Sequence, residues 1–392
     1  MSIISIFSGI FCREENLLKD VTQKTGYKCL EDRDIVSAAS RISGIPDHKI
    51  GKAFSTKTSA FNKFTHERER SIAYLKLALA ETLFQDDLII DGFTGHFIPK
   101  EVTHTLRVCI IADMNLRLHI AKKEKNLNKT DAVKLIHKMD EDCALWVNRL
   151  HSVNDPWNTS LYDIIAPSNK MKETEIVDLI TENLEKDILV ANSHSRAAIE
   201  DFKLTATIEV AMANEGHQVD VKSKNGDIEL TINKQVLLLS RLEEELKSIA
   251  GGVSGVKTVK TKIGPGFYQT DIYRKQNFEV PTKILLVDDE REFVQTLSER
   301  LLIRDMGSAV AYDGESALEL IREDEPEVMI LDLRMPGIDG FEVLKRVKKT
   351  SPDIEVIILT GHGSEADRDV WNYSTSMRGY HKSHSIDPGS LD

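Results

Sequence analysis

The chain lacks most of what would mark a secreted, membrane-spanning or nucleic-acid-coating protein. It carries only four cysteines, Cys12, Cys29, Cys109 and Cys143, and no C-x-x-C pair. That argues against a disulfide frame or a zinc site and fits the reduced thiols of a cytoplasmic protein. No apolar run reaches the ~18 residues needed to span a bilayer. The opening stretch Met1–Cys12 is apolar but has no basic leader and runs straight into Arg13-Glu14-Glu15, so it reads as a buried strand rather than a signal peptide. Basic residues are outnumbered, 51 against 63 acidic, for a net charge of -12. A general nucleic-acid surface would need the opposite balance. His48, His66, His96, His104, His119 and His137 are scattered without metal-ligand spacing. They read as ordinary surface or core histidines, and no hydrolytic triad suggests itself.

What is present is concentrated near the C-terminus. Lys283-Ile-Leu-Leu-Val-Asp288-Asp289-Glu290 and Met329-Ile-Leu-Asp332-Leu-Arg334-Met-Pro336-Gly337-Ile-Asp339-Gly340 are each a short apolar run ending in carboxylates. Such runs suit buried parallel strands, whose C-terminal ends are where open α/β sheets place their sites. Side by side, the two would gather Asp288, Asp289 and Asp332. Carboxylates that close repel one another, so a hard cation such as Mg2+ is the natural partner. Leu359-Thr360-Gly361 closes a further apolar run.

These motifs resemble the receiver domain of two-component response regulators, over roughly residues 281–392. The resemblance implies a flavodoxin-like, doubly wound fold. It implies that Asp332 accepts a phosphoryl group from a phosphohistidine on a histidine kinase or phosphotransfer protein. Asp288, Asp289, Asp332 and the backbone carbonyl of Arg334 would hold Mg2+. Thr360 would bond the phosphoryl oxygen, and Lys382 would pair with it. The tail departs from the pattern, since Ser383 replaces the usual proline and the residues before Lys382 lack an apolar strand pattern. A structurally weakened, truncated C-terminal end is therefore expected, with the acidic site surviving. Receivers often dimerise through the last strand and helix, so a homodimer is one expectation. No DNA-binding module follows, so output is expected to pass through the segments that precede the receiver.

Those segments are two. Residues 1–192 alternate strand-like and helix-like stretches, a parallel α/β pattern. Ile3–Phe7 reads as the first strand, Asn16–Thr25 as a helix stopped by Gly26, and Ser71–Phe84 as a helix with apolar residues at i, i+3 and i+4. Lys122–Thr130 reads as a solvated loop, with a phosphate-binding lid as the sharper alternative. Gly26-Tyr27, Glu31–Ile35, Ile90-Asp91-Gly92, Arg107–Arg117 and Trp157–Ile165 resemble pieces of the cytidylate kinase-like family of P-loop proteins. The phosphate loop is where that resemblance fails. A working loop needs glycine N–H groups, a lysine and a Ser or Thr. Here the turn is Ser8-Gly9-Ile10-Phe11-Cys12-Arg13-Glu14-Glu15. Bulky Ile10 and Phe11 fill it, and Glu14 and Glu15 would repel phosphate. Nucleotide binding is expected to be weak or absent.

Between these lies a smaller α+β stretch, residues 195–270. Its α-β-β-α-β order, with Asn225-Gly226 between two alternating runs, signals a hairpin. Together with the Gly255-Val-Lys-Thr-Val ending, it resembles a BON-type domain, a module associated with ligand or surface binding; a packing spacer is the plain alternative. The chain as a whole thus reads as an α/β multidomain protein. The expected function is that of an atypical response regulator with a degenerate kinase fold, and the alternative is a nucleoside monophosphate kinase regulated by a receiver.

Overall fold

The computed structural model describes residues 2–55, 66–234, 239–265, 267, 283–303, 306–360 and 377–381. They form two compact units, one within Met1–Lys57 and Arg68–Arg274, the other holding His66, Glu67 and the described residues from Lys283 onward.

The first unit is built on β1 (Ile3–Ser8), β2 (Lys28–Glu31), β3 (Leu88–Asp91), β4 (Thr105–Ile111) and β5 (Ile164–Pro167). They lie in the order β2-β3-β1-β4-β5, and every pairing is parallel. β1 is central, which explains its mostly apolar sequence: a parallel strand covered on both faces favours hydrophobic residues on both sides, with Ser5 the polar exception inside it. Ile4 and Ile6 face α1 (Glu14–Thr25) and α7 (Glu173–Leu184) through Leu17, Val21, Ile176 and Ile180. Ile3 faces the other way, into a core with Leu75 and Leu79 of α4 (Glu67–Thr82) and with Trp146. α2 (Asp32–Ser43) and the short α3 (Asp47–Gly51) flank that side. α5 (Met114–Lys125) and α6 (Lys129–His151) complete the layer.

The basic run Lys122–Thr130 is not the loop its charge suggests. α5 continues through Lys125, Asn126 ends it in the left-handed region (φ 51°), and Asn128 caps α6 by accepting from the Asp131 N–H. Lysines in a last helical turn complement the helix dipole, so this charge belongs to a helix end.

α8 (Ser193–Asn214) joins the sheet core to a smaller layer. Its Ile199 and Phe202 pack into the core around Trp146, while its Ile208 and Met212 pack under a three-stranded sheet. That sheet is β6 (Asp220–Lys224), β7 (Asp227–Ile232) and β8 (Thr258–Ile263), with α9 (Leu239–Gly251) beside it. β6 and β7 are the antiparallel hairpin expected from Asn225-Gly226, whose φ values of 53° and 88° suit a tight primed turn. β8 adds to β7 in parallel. The α-β-β-α-β order read from sequence is therefore present, although the two stretches share one compact unit.

The second unit has β9 (Ile284–Val287), α10 (Arg291–Ile303), β10 (Ser308–Ala311), α11 (Gly314–Glu323), β11 (Val328–Leu331), α12 (Gly340–Thr350), β12 (Glu355–Thr360) and β13 (Met377–His381). The strand order β10-β9-β11-β12-β13, all parallel, is the flavodoxin-like doubly wound arrangement. β13 forms although its sequence lacks apolar alternation. An edge strand is held by backbone pairing on one side only, so side-chain patterning constrains it less than a central strand. Among the described residues, no helix is long and apolar enough to cross a membrane.

Candidate functional site

The second unit places its chemistry where the strand order reverses. β9 and β11 are neighbours in register, Val287 opposite Leu331. Asp288 and Asp289 follow β9 directly, and Asp332 follows β11. Carboxylate oxygens of the three lie within 4.8 Å of one another, with Asp288 and Asp332 buried and Asp289 exposed. At an effective dielectric of 20, each pair of ionised groups at that separation repels by roughly 3 kcal/mol. The arrangement therefore suits a divalent cation: hard oxygen donors, clustered, with one edge open to water. Backbone amides fix the two buried members. The Glu290 N–H donates to Asp288 Oδ1 (2.8 Å) and the Leu333 N–H to Asp332 Oδ1 (2.9 Å). The loop after Asp332 is held close, because the Gly340 N–H donates to the Leu333 carbonyl at 3.0 Å. A Cβ at Gly340 would strike the Asp332 carbonyl, so only glycine fits there.

The sequence also singles out Arg334, Thr360 and Lys382. Arg334 is exposed in the loop beyond Asp332. Thr360 ends β12, and its backbone pairs with His381 of β13. Lys382 follows His381 and lies outside the described residues.

The first unit has a second crevice, at the C-terminal ends of β1 and β3. The turn after β1 is not an open phosphate cradle. Glu14, which opens α1, folds back so that its carboxylate accepts the N–H groups of Cys12 (2.8 Å) and Phe11 (3.3 Å). Burial pushes the Glu14 carboxyl above its ordinary range. The sequence suggests a glutamate that repels phosphate; the structure shows one that occupies the donors a phosphate would use. Phe11, with φ 62°, drives its ring into a cluster with Ile120, Ala121, Ala132 and Ile136 of α5 and α6. Arg117 locks the closure. Its Nε donates to the Ile10 carbonyl (2.9 Å), and its two terminal nitrogens bind both Asp140 oxygens at 2.8 and 2.7 Å. Arg13 turns outward, 3.7 Å from Glu173. Burial pushes the thiols of Cys12, Cys109 and Cys143 up to about 12, which leaves them protonated and inert.

Beside this turn stand two half-buried carboxylates. Asp32 accepts the Phe93 and Thr94 N–H groups at 2.8 Å. Its carboxyl group sits where a side chain at Gly92 (φ 111°) would go. Burial pushes Asp32 up to about 6. Burial, then the neighbouring Asp32, Glu31 and Glu14, push Asp91 up to about 7. Both values exceed the unfolded ~3.9. Stability from these groups is therefore fully present below about pH 4 and is lost as pH rises through 6 to 7. Asp91→Asn is expected to raise the melting temperature at pH 8 and to flatten its pH dependence between 4 and 7. A variant that melts below the parent at pH 8 would contradict this placement.

Comparison with known proteins agrees with both halves. Residues 284–375 match the family model of the response regulator receiver domain, and residues 3–170 match that of the cytidylate kinase-like family. The chain thus carries a receiver domain in its second unit and a kinase-like segment in its first. The response regulator MprA of Mycolicibacterium vanbaalenii is 36% identical over 89 residues, 23% of this chain and 38% of that protein. A probable transcriptional regulator, ycf27 of Guillardia theta, is 40% identical over 92 residues, 24% of this chain and 36% of that one. The chain thus spans under two fifths of the length of these curated relatives. Among solved structures, the response regulator TrrA of Thermotoga maritima in complex with Mg(2+)-BeF is 32% identical, with a TM-score of 0.24, covering 27% of this chain and 90% of that one.

Proposed function

We propose that the protein is an atypical response regulator in which Asp332 accepts a phosphoryl group from a histidine kinase or phosphotransfer protein. The observation that carries this reading is the meeting of Asp288, Asp289 and Asp332 at the ends of β9 and β11, inside a segment that matches the receiver family. Asp288, Asp289 and Asp332 would hold Mg2+ together with the Arg334 backbone carbonyl. The ion supplies charge neutralisation for the equatorial oxygens of the transferred group. Asp332 is the attacking oxygen, positioned by the Leu333 N–H. Thr360 and Lys382 are the groups proposed to meet the phosphoryl oxygens. Incubation with acetyl phosphate and Mg2+ tests the reading: acid-labile phosphate on the protein supports it, and none sinks it.

Metal binding gives a separate check. Mg2+ keeps several waters and relies on carboxylate charge in such sites. Removing one of three carboxylates should weaken it strongly, so Asp289→Ala is expected to lower Mg2+ affinity by about tenfold or more. Unchanged affinity by titration would move the metal elsewhere.

In this reading the first unit conveys the signal rather than turning over nucleotide. It would act through self-association or docking, with the 195–270 layer serving as a BON-like binding module and no DNA contact. Phosphorylation adds about -1.5 to -2 charge, enough to redirect a bistable element. One observation favours a second reading, a receiver-regulated cytidylate kinase: the family match over residues 3–170. The crevice argues against it, since Glu14 and Phe11 fill the phosphate position. Purified protein given CMP, ATP and Mg2+ is expected to form no CDP. Turnover at ordinary enzyme rates of ~1 per second or more would reverse the choice between the two.

A further inference from the structure

The first unit also holds a polar cavity. It is bounded by Ser5 and Arg107 on the sheet, His96 and Lys100 in the segment between β3 and β4, His151 at the end of α6, and Tyr162. Ser5 and Arg107 are partners in register, three positions back from Ser8. Phe7, on the same face of β1 as Ser5, also lines the cavity. Its volume is about 30 Å³, above the ~10–15 Å³ a water needs and far too small for a nucleotide. Exposed Lys100 stands at its rim.

The lining has an unusual charge balance. Four of its members are basic types, and none is acidic. Arg107 is half-buried and makes no ion pair among the described residues. Its guanidinium donates to the Pro99 carbonyl at 2.8 Å and, at a long 3.4 Å, to the Thr105 and Ile98 carbonyls. Two acids lie nearby. Asp163 is engaged by the Arg107 backbone N–H at 2.8 Å, and Glu101 is outside the lining. Carbonyl dipoles alone are weak compensation for a charge taken out of water. The histidines report the resulting field. Burial, then His151 and Arg107, hold His96 down to about 3. Burial, then Lys100 and Arg107, hold His151 below its ordinary range. The rings lie 5.4 Å apart. Tyr162 donates its hydroxyl to the Pro156 carbonyl, so it cannot neutralise the site. His151 Nε2 is buried with no hydrogen-bond partner among the described residues; carrying a proton, it is a donor awaiting an acceptor.

We propose that this cavity binds a small monovalent anion of chloride size, held by the Arg107 guanidinium and the His151 Nε2–H. The ion would supply the acceptor His151 lacks among the described residues and a direct ion pair for Arg107, and it would tie the end of α6 to the sheet. A nucleotide does not fit the volume, and a water fits but brings no charge.

Bromide substitutes for chloride and scatters anomalously, which makes it the probe. Crystals of the full chain soaked in sodium bromide should show a peak within hydrogen-bond distance of Arg107 and His151. In solution, millimolar bromide or chloride should raise the melting temperature saturably over sodium gluconate at equal ionic strength. His151→Phe, which fills the cavity with an apolar ring, should abolish that halide effect. Arg107→Gln should do the same where it folds, and His151→Phe carries the test if it does not. A cavity showing no bromide peak, only water, overturns the proposal. So does a halide effect that survives in His151→Phe, which would mark an adventitious ion only.

Discussion

Asp332→Asn should abolish acid-labile labelling of the protein by acetyl phosphate, taking it to background. The argument is one of position. Three carboxylates share the site, but they are not equivalent. Asp289 is exposed, and Asp288 is turned by the Glu290 N–H. Asp332 directly follows β11, buried, with the N–H of the next residue, Leu333, fixing Oδ1. Asparagine has the same shape and keeps an oxygen for the Leu333 N–H, so the loop and the fold should survive. What it loses is the charged oxygen proposed to attack phosphorus. Circular dichroism should confirm an unchanged fold, and any loss is then chemical. Labelling that persists, or that moves to Asp288 or Asp289 at the parent's rate, would show that Asp332 is not the acceptor.

The two units were not equally legible in the sequence. In the second unit, the clustered carboxylates each follow a short apolar run, Asp288 and Asp289 after β9 and Asp332 after β11. Strand and site residue are then read together, and parallel pairing brings neighbouring strand ends into contact. That is why Asp288, Asp289 and Asp332 could be named from sequence. β13 was harder, because an edge strand carries little of the alternation that announces a strand. In the first unit, the sequence told what the phosphate turn lacks but not what replaced it. Glu14 read as a repellent charge because the helix was expected to start at Asn16. Starting at Glu14, α1 brings that carboxylate back onto the turn's own N–H groups. The partners of Arg117 were invisible for another reason. Asp140 is on a different helix, and nothing in local periodicity links positions 117 and 140. The cavity at Arg107 and His151 likewise joins a strand to the far end of α6, through contacts no window of sequence contains.

The closed crevice makes a second large effect expected. Arg117 is almost fully buried, its side chain 7% exposed, and it holds three acceptors: the Ile10 carbonyl and both Asp140 oxygens. Arg117→Met keeps the aliphatic bulk and removes every one of those bonds. Breaking a buried pair usually costs 3–5 kcal/mol because the partner is left charged and unpaired. Asp140 is 28% exposed on its side chain and can turn toward water, which places the cost near the lower end, about 3 kcal/mol. For a unit of this size that is a fall in melting temperature of about 6–12 °C. The damage should also be local. With the Ile10 carbonyl released, the turn that Phe11 anchors in the α5–α6 cluster loses its brace, so amide exchange should quicken across residues 9–13 and 114–140 first. A substitution that lowers the melting temperature by less than about 2 °C would mean that Phe11 packing alone keeps the crevice shut. If the variant instead gained measurable ATP binding, the Arg117 clasp would be what separates this fold from a nucleotide site, and the Glu14 carboxylate would be a secondary barrier.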